Sequence, residues 1–280
     1  MKRSFIVMLT VCLALILVAS LASAQQRAQG TNSSGEPVLT GNAPQNADIN
    51  PKYNTVKQKL MKGQPVFCNT LTSPDTAAAR KACEGVDFIW IEMQHSPLTY
   101  WQASELVRVI ASAGCIPFIR VPDATESDIQ KACDIGALGI IVPVVDTVEK
   151  AKDAVKFSHF PPIGRRSTGS MNAPGIWGRD YRDVANNEMM VVVFCETVES
   201  AMNIHEIAAV PGVDVVFVGA SDLGYFSNST QGSQIFENLT ALAVKGITDA
   251  GKVVAGPSNW YGRADRKEFM FFQGRRPSGN

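Results

Sequence analysis

Four side chains in this 280-residue sequence stand where apolar runs stop, and their types suit acid–base and metal chemistry: His95, Arg120, Glu196 and Asp222. His95 follows Phe88-Ile89-Trp90-Ile91 and the polar Glu92 and Gln94, with Pro97 just beyond. An imidazole there can move a proton near neutral pH, or it can be a loop histidine satisfied by water. Arg120 closes the run Phe118-Ile119. A guanidinium in that position is costly to bury unless it meets a polar cavity or an anion, and its planar fork suits a carboxylate or an enolate oxygen. Glu196 ends a run of valines, and Asp222 sits in Gly219-Ala220-Ser221-Asp222-Leu223 after another. Two carboxylates with room for water suit a hard cation such as Mg2+ or Mn2+. Each acid also has a plainer role, capping a helix or facing its dipole. Arg120 and His95 at matching strand ends favour the metal site.

Asp134 is a fifth candidate. It closes the helical stretch 126–135, and an acid at a helix C-terminus opposes the dipole, which invites a specific partner. His95 is a candidate for that partner, since a carboxylate would fix its tautomer and raise its basicity. His159 and His205 fit packing or surface roles. The loop Gly164-Arg165-Arg166-Ser167 is either an anion contact at the site's mouth or a solvated turn.

Positioning these groups requires regular elements. Strand-like runs cover 65–71, 87–92, 116–121, 138–144, 190–196, 213–218, 253–255 and 269–272. Apolar residues at three- and four-residue spacing predict helices over 103–113, 126–135, 148–157, 200–208 and 236–250, with a short one within 51–62. Thr125 and Asp146-Thr147 supply capping signals. Eight strands alternating with helices point to a (β/α)8 TIM barrel, which carries its chemistry at the C-terminal strand ends. A doubly wound open sheet is the alternative, but no GxGxxG or GxxxxGK[ST] loop follows any strand. The residues after 272 are too few for a last helix, so the barrel is expected to lack it, either clipped or with another subunit over the exposed edge.

Lys2-Arg3, an apolar run over 5–21 and Ala22-Ser23-Ala24 read as a cleaved signal peptide, 1–24, rather than a retained anchor. That implies a periplasmic or secreted protein with no stable membrane anchor. Residues 25–50, rich in Gln, Asn, Ser, Gly and Pro, read as a flexible linker ahead of the domain at 51–280. The chain carries 26 basic and 26 acidic side chains, without the basic excess that nucleic-acid binding needs. Cys68, Cys83, Cys115, Cys133 and Cys195 form no CxxC or Cys/His cluster and read as small buried hydrophobes.

These residues resemble the HpcH/HpaI aldolase and citrate lyase β-subunit family from about 65 to 257. The matching pieces are Gln94-His95-Ser96-Pro97, Arg120, Asp134-Ile135-Gly136-Ala137, Val142-Pro143-Val144-Val145-Asp146-Thr147, Pro161-Pro162-Ile163-Gly164-Arg165-Arg166, Glu196-Thr197 and Gly219-Ala220-Ser221-Asp222-Leu223. The resemblance implies a barrel of the phosphoenolpyruvate-binding type and a metal-dependent aldolase. It casts Glu196 and Asp222 as ligands of a divalent cation (Mg2+, Mn2+ or Co2+) and Arg120 as the group that binds the keto acid. It casts His95 with Asp134 as the acid–base dyad, and the N–H groups near Ser221 and Asp222 as the substrate-carboxylate contact. The implied reaction is retro-aldol cleavage of a 4-hydroxy-2-oxo acid to pyruvate and an aldehyde by a homo-oligomer. An exported keto-acid-binding protein without turnover and a lyase of CoA thioesters are the alternatives. Three departures stand out: Glu92-Met93-Gln94 where the family has acid–x–acid, Phe194 where it commonly has glutamine, and the absent final helix.

Overall fold

The computed structural model describes residues 51–169 and 172–278. The leader, 1–24, and the linker, 25–50, lie outside the described residues. Eight parallel strands form the centre: β1 Val66–Leu71, β2 Phe88–Glu92, β3 Ile116–Arg120, β4 Gly139–Val142, β5 Met190–Cys195, β6 Val215–Val218, β7 Val253–Pro257 and β8 Phe269–Gln273. Each pairs with the next, and β8 closes on β1 through Val66↔Phe271 and Phe67↔Phe272. The (β/α)8 barrel expected from the alternation is the observed fold, but no strand edge is left open. Closure depends on the strands' own hydrogen-bond ladders. Between β7 and β8 the chain makes only short 3-10 turns, Ser258–Trp260 and Ala264–Arg266.

The strands are rich in β-branched and aromatic residues because both of their faces are buried. One alternate set, including Phe88, Trp90, Phe118, Val192, Phe194, Phe217 and Phe271, fills the barrel interior. The other, including Ile89, Ile91, Ile119, Val191, Val193 and Val216, packs under the helices. Inside, Phe88 lies 4.5 Å from Phe271 and 4.9 Å from Phe118 between ring centres, and Phe194 stacks on Phe217 at 4.6 Å. Each such ring contributes about 2–3 kcal/mol of burial. Gly139 leaves room for them, since a Cβ there would fall 2.3 Å from the Phe118 ring.

Helix α1, Thr55–Met61, plugs the N-terminal end of the barrel with Val56 and Leu60. The fully buried Glu188 clamps it by accepting from the backbone N–H groups of Tyr53 and Asn54. The outer layer comprises α2 Thr76–Ala82, α3 Tyr100–Ser112, α4 Glu126–Asp134, α5 Val148–Ser158, α6 Ala173–Trp177, α7 Tyr181–Glu188, α8 Val198–Met202, α9 Ile204–Ala208, α10 Ala220–Phe226 and α11 Gln234–Asp249. The single helix expected over 200–208 is broken at Asn203, whose side chain donates to Asp146 O at 2.9 Å. No described helix is long and apolar enough to cross a membrane.

Parallel strands put all C-terminal ends at one mouth. Each helix returns to the opposite rim before the next strand begins.

Candidate active site at the strand ends

Glu92 and Arg120 are the last residues of β2 and β3 and face each other across the ladder. The inward alternation that buries Trp90 and Phe118 also turns these two side chains into the mouth. Arg120 is 7% exposed, so its charge needs partners. Its Nη1 lies 3.4 Å from Glu92 Oε2, its Nη2 lies 3.6 Å from Glu196 Oε2, and its guanidinium carbon stands 4.4 Å from the centre of the Phe194 ring. Glu92 is fixed in turn: Oε1 accepts from the N–H groups of Gln94 (2.8 Å) and His95 (3.1 Å), and Oε2 from Trp90 Nε1 (3.2 Å).

Glu196 follows β5 directly. Its backbone N–H and that of Thr197 donate to Ser200 Oγ, and the reciprocal Thr197–Ser200 capping box starts α8 immediately behind it. Its Oε1 accepts from Val144 N–H at 2.7 Å. Val144 has φ 48°, a left-handed backbone that a β-branched residue rarely adopts. This strained residue sits at the end of β4 and aims its N–H at the carboxylate. Gly219 completes the fit, because a Cβ there would lie 2.7 Å from Glu196 Cβ and push it away. Past Gly219, the first turn of α10 brings Asp222 against Glu196. Burial, with the Asp222 charge adding to it, pushes the Glu196 carboxyl up to about 7, against the pull of Val144 N–H and Arg120.

Two apposed carboxylates, one nearly buried, are the donor set of a hard divalent cation. Glu196 Oε2 is buried without a hydrogen-bond partner, and so are Arg120 Nε and Gln94 Oε1. Among the described residues only two other buried side-chain atoms lack a partner, so the deficit concentrates at this mouth. A cation and an anionic ligand would satisfy it. No group of three or more His, Cys, Asp or Glu suited to a metal occurs among the described residues, so a cation at this mouth would draw only these two acids from such a set.

Of the residues singled out from sequence, Arg120, Glu196 and Asp222 meet at the mouth. His95 is exposed in the turn after β2, at the same end, and Ser221 is exposed in the first turn of α10. Asp134 is not with them. It terminates α4, at the rim where strands begin, about 15 Å of strand away from the mouth. Its Oδ1 accepts from Arg166 Nη2 at 2.7 Å and Nε at 3.1 Å. Within one chain the expected His95–Asp134 dyad is therefore replaced by an Asp134–Arg166 pair. The helix-end acid did need a cation, but the cation came from the 164–169 loop. That loop is neither a contact at the mouth nor a solvated turn at Arg166, which is buried against Tyr181 and Phe160.

Glu92 and Phe194, which hold Arg120, and Trp90, which donates to Glu92, are site residues that the strand ends alone do not reveal. Period-two alternation back from Glu92 and Glu196 would have found them. A surface cleft of about 520 Å3 near Arg108, Asn172, Ile176 and Trp177 lies on the helical layer, away from these groups.

The HpcH/HpaI aldolase/citrate lyase family pattern matches residues 68–256, from β1 to β7. The chain belongs to that family. It is an enzyme of the aldolase type, a carbon–carbon lyase. Among the relatives of this HpcH/HpaI protein is the hydroxypyruvate/pyruvate aldolase of Rhizorhabdus wittichii, 34% identical over 171 residues (61% of this chain, 68% of the relative). The 2-keto-3-deoxy-L-rhamnonate aldolase of Klebsiella pneumoniae is 31% identical over 207 residues (71% and 77%). In three dimensions the chain is similar to an HpcH/HpaI aldolase/citrate lyase family protein from Burkholderia cenocepacia, with TM-score 0.73, 26% identity, and coverage of 80% of this chain and 93% of that one.

Proposed function

We propose that this lyase cleaves a 4-hydroxy-2-oxo acid reversibly into pyruvate and an aldehyde, using a divalent cation held by Glu196 and Asp222. The observation that carries the reading is the orphaned, buried Glu196 Oε2, set against Asp222 and 3.6 Å from Arg120. Relatives named as hydroxypyruvate/pyruvate and 2-keto-3-deoxy-L-rhamnonate aldolases support the substrate class.

The chain's own groups divide the work. The first N–H groups of α10, at Ser221 and Asp222, lie beyond the reach of intrahelical bonding and are free to take the substrate carboxylate. Arg120, held by Glu92 and Phe194, donates to the C2 oxygen, where negative charge develops as the C3–C4 bond breaks. Mg2+, Mn2+ or Co2+ at the two acids supplies a Lewis acid for the 2-oxo acid oxygens. His95, exposed at the same mouth, accepts the 4-hydroxyl proton, the C3–C4 electron pair moves into the enolate, and protonation at C3 gives pyruvate. Asp134 has no direct part in this chain's proton transfer.

A screen of pyruvate release over 4-hydroxy-2-oxo acids with Mg2+, Mn2+, Co2+ or EDTA tests the reading. Metal-dependent release from at least one substrate supports it; tight oxalate binding with no release from any substrate would favour the exported binding protein. We also place the enzyme in the periplasm or outside the cell, on the basic, apolar and small-residue segments of 1–24; N-terminal sequencing of the mature chain should begin at Gln25. The exposed Trp101 and Tyr225, 78% and 80% accessible, support self-association, which sedimentation would read.

A further inference from the structure

At the rim opposite the active site, two of the five described cysteines stand together. Cys83 caps the C-terminus of α2, and Cys115 immediately precedes β3. Adjacent strands bring them there: β2 starts at Phe88, five residues after Cys83, and Phe88 is registered with Ile116, the neighbour of Cys115. Helices α2 and α3 are tied at the same level by Arg80 Nη2, which donates to Ser112 Oγ at 3.0 Å. Cys83 Sγ donates to Ala79 O at 3.3 Å, and the Cys115 thiol lies within interaction range of it. Contact between the two side chains is the first requirement for a disulfide, and it excludes most cysteine pairs.

We propose that Cys83 and Cys115 form an intramolecular disulfide when the folded chain meets a small-molecule disulfide such as oxidised glutathione. Cys83 is the half-buried member, so the oxidant reaches it first, while Cys115 is 3% exposed. The neighbouring Cys115, with Arg80 nearby, holds the Cys83 thiol below the usual range and favours the attacking thiolate. Its sulfur attacks the external disulfide, forming a mixed disulfide and releasing one external thiolate. Cys115 then loses its proton and attacks the Cys83 sulfur, expelling the second. Two electrons pass from the protein thiols to the external disulfide, which leaves as two thiols.

The other described cysteines do not compete. Cys68, Cys133 and Cys195 are fully buried, and burial pushes their thiols up to about 12, 11 and 12. The proposal is independent of the reaction at the mouth. The tie closes the stretch that carries β2 and α3 and therefore restricts the unfolded chain.

Trypsin separates the two residues, into peptides 82–108 and 109–120. The full chain is equilibrated in equal oxidised and reduced glutathione, quenched with N-ethylmaleimide and digested without reductant. The proposal predicts that the two peptides are recovered joined and two hydrogens lighter than their sum. It also predicts that in the Cys115→Ser variant Cys83 instead retains glutathione. Recovery of both wild-type peptides singly and alkylated, or of wild-type Cys83 carrying glutathione with Cys115 alkylated, overturns it.

Discussion

The guanidinium carbon of Arg120 lies 4.4 Å from the centre of the Phe194 ring, which itself stacks on Phe217. The ring occupies a position where the resembled family commonly carries a glutamine, and it adds a π face to the contacts with Glu92 and Glu196 that orient the arginine. A buried cation–π contact of this kind contributes about 1–2 kcal/mol. Phe194→Leu should therefore lower kcat/KM for the 2-oxo acid roughly 5- to 30-fold. Steady-state kinetics alongside Mn2+ titration check this: catalysis falls while metal affinity holds. An unchanged kcat/KM would mean that Glu92 and Glu196 orient Arg120 unaided.

Removing a metal ligand separates binding from folding. Mn2+ at a hundred times its dissociation constant should stabilise the wild type by about 3 kcal/mol in urea unfolding. Glu196→Gln should lose nearly all of that increment, since it replaces one of the two carboxylates proposed to hold the cation.

The Asp134–Arg166 pair predicts a stability effect. Arg166 is fully enclosed, and Asp134→Asn leaves its charge without a counter-ion. The variant should be about 3 kcal/mol less stable by urea unfolding. Equal stability in the two proteins would contradict the pairing.

His159 supplies a pH dependence unrelated to the mouth. Buried on Ser158 and Val155, its imidazole is held down to about 4, chiefly by burial. The unfolded chain, with an ordinary histidine near 6.5, binds the proton over the window between, and the folded chain does not. Stability is thus complete above pH 6.5 and falls as pH drops toward 4, by about 3 kcal/mol from this group. Urea unfolding of His159→Gln at pH 7 and 4 should show a correspondingly smaller loss than the wild type.

The barrel was legible because β2 to β6 are buried on both faces and so read as largely apolar runs, as in 190–195. Arg120, Glu196 and Asp222 were legible because each interrupts or follows such a run. The Glu92–Arg120 contact was not, since it depends on the register between β2 and β3. Helix α10 carries Ser221 and Gly224, poor helix formers, and exists because Gly219 lets it pack over Glu196. The place of Asp134 was not legible for a related reason: a helix C-terminus shows in the pattern, whereas the rim it reaches follows only from the closed topology.

Arg120, beside the proposed cation ligands Glu196 and Asp222, should stabilise the enolate of a 2-oxo acid. Exchange of the pyruvate methyl protons in D2O, followed by NMR, tests it most directly and requires no knowledge of the aldehyde. The account predicts rapid loss of the methyl signal with enzyme and Mg2+ or Mn2+, none with EDTA, and a rate at least about 100-fold lower in Arg120→Lys. Absence of exchange by the wild type with either metal, or undiminished exchange in Arg120→Lys, would contradict it.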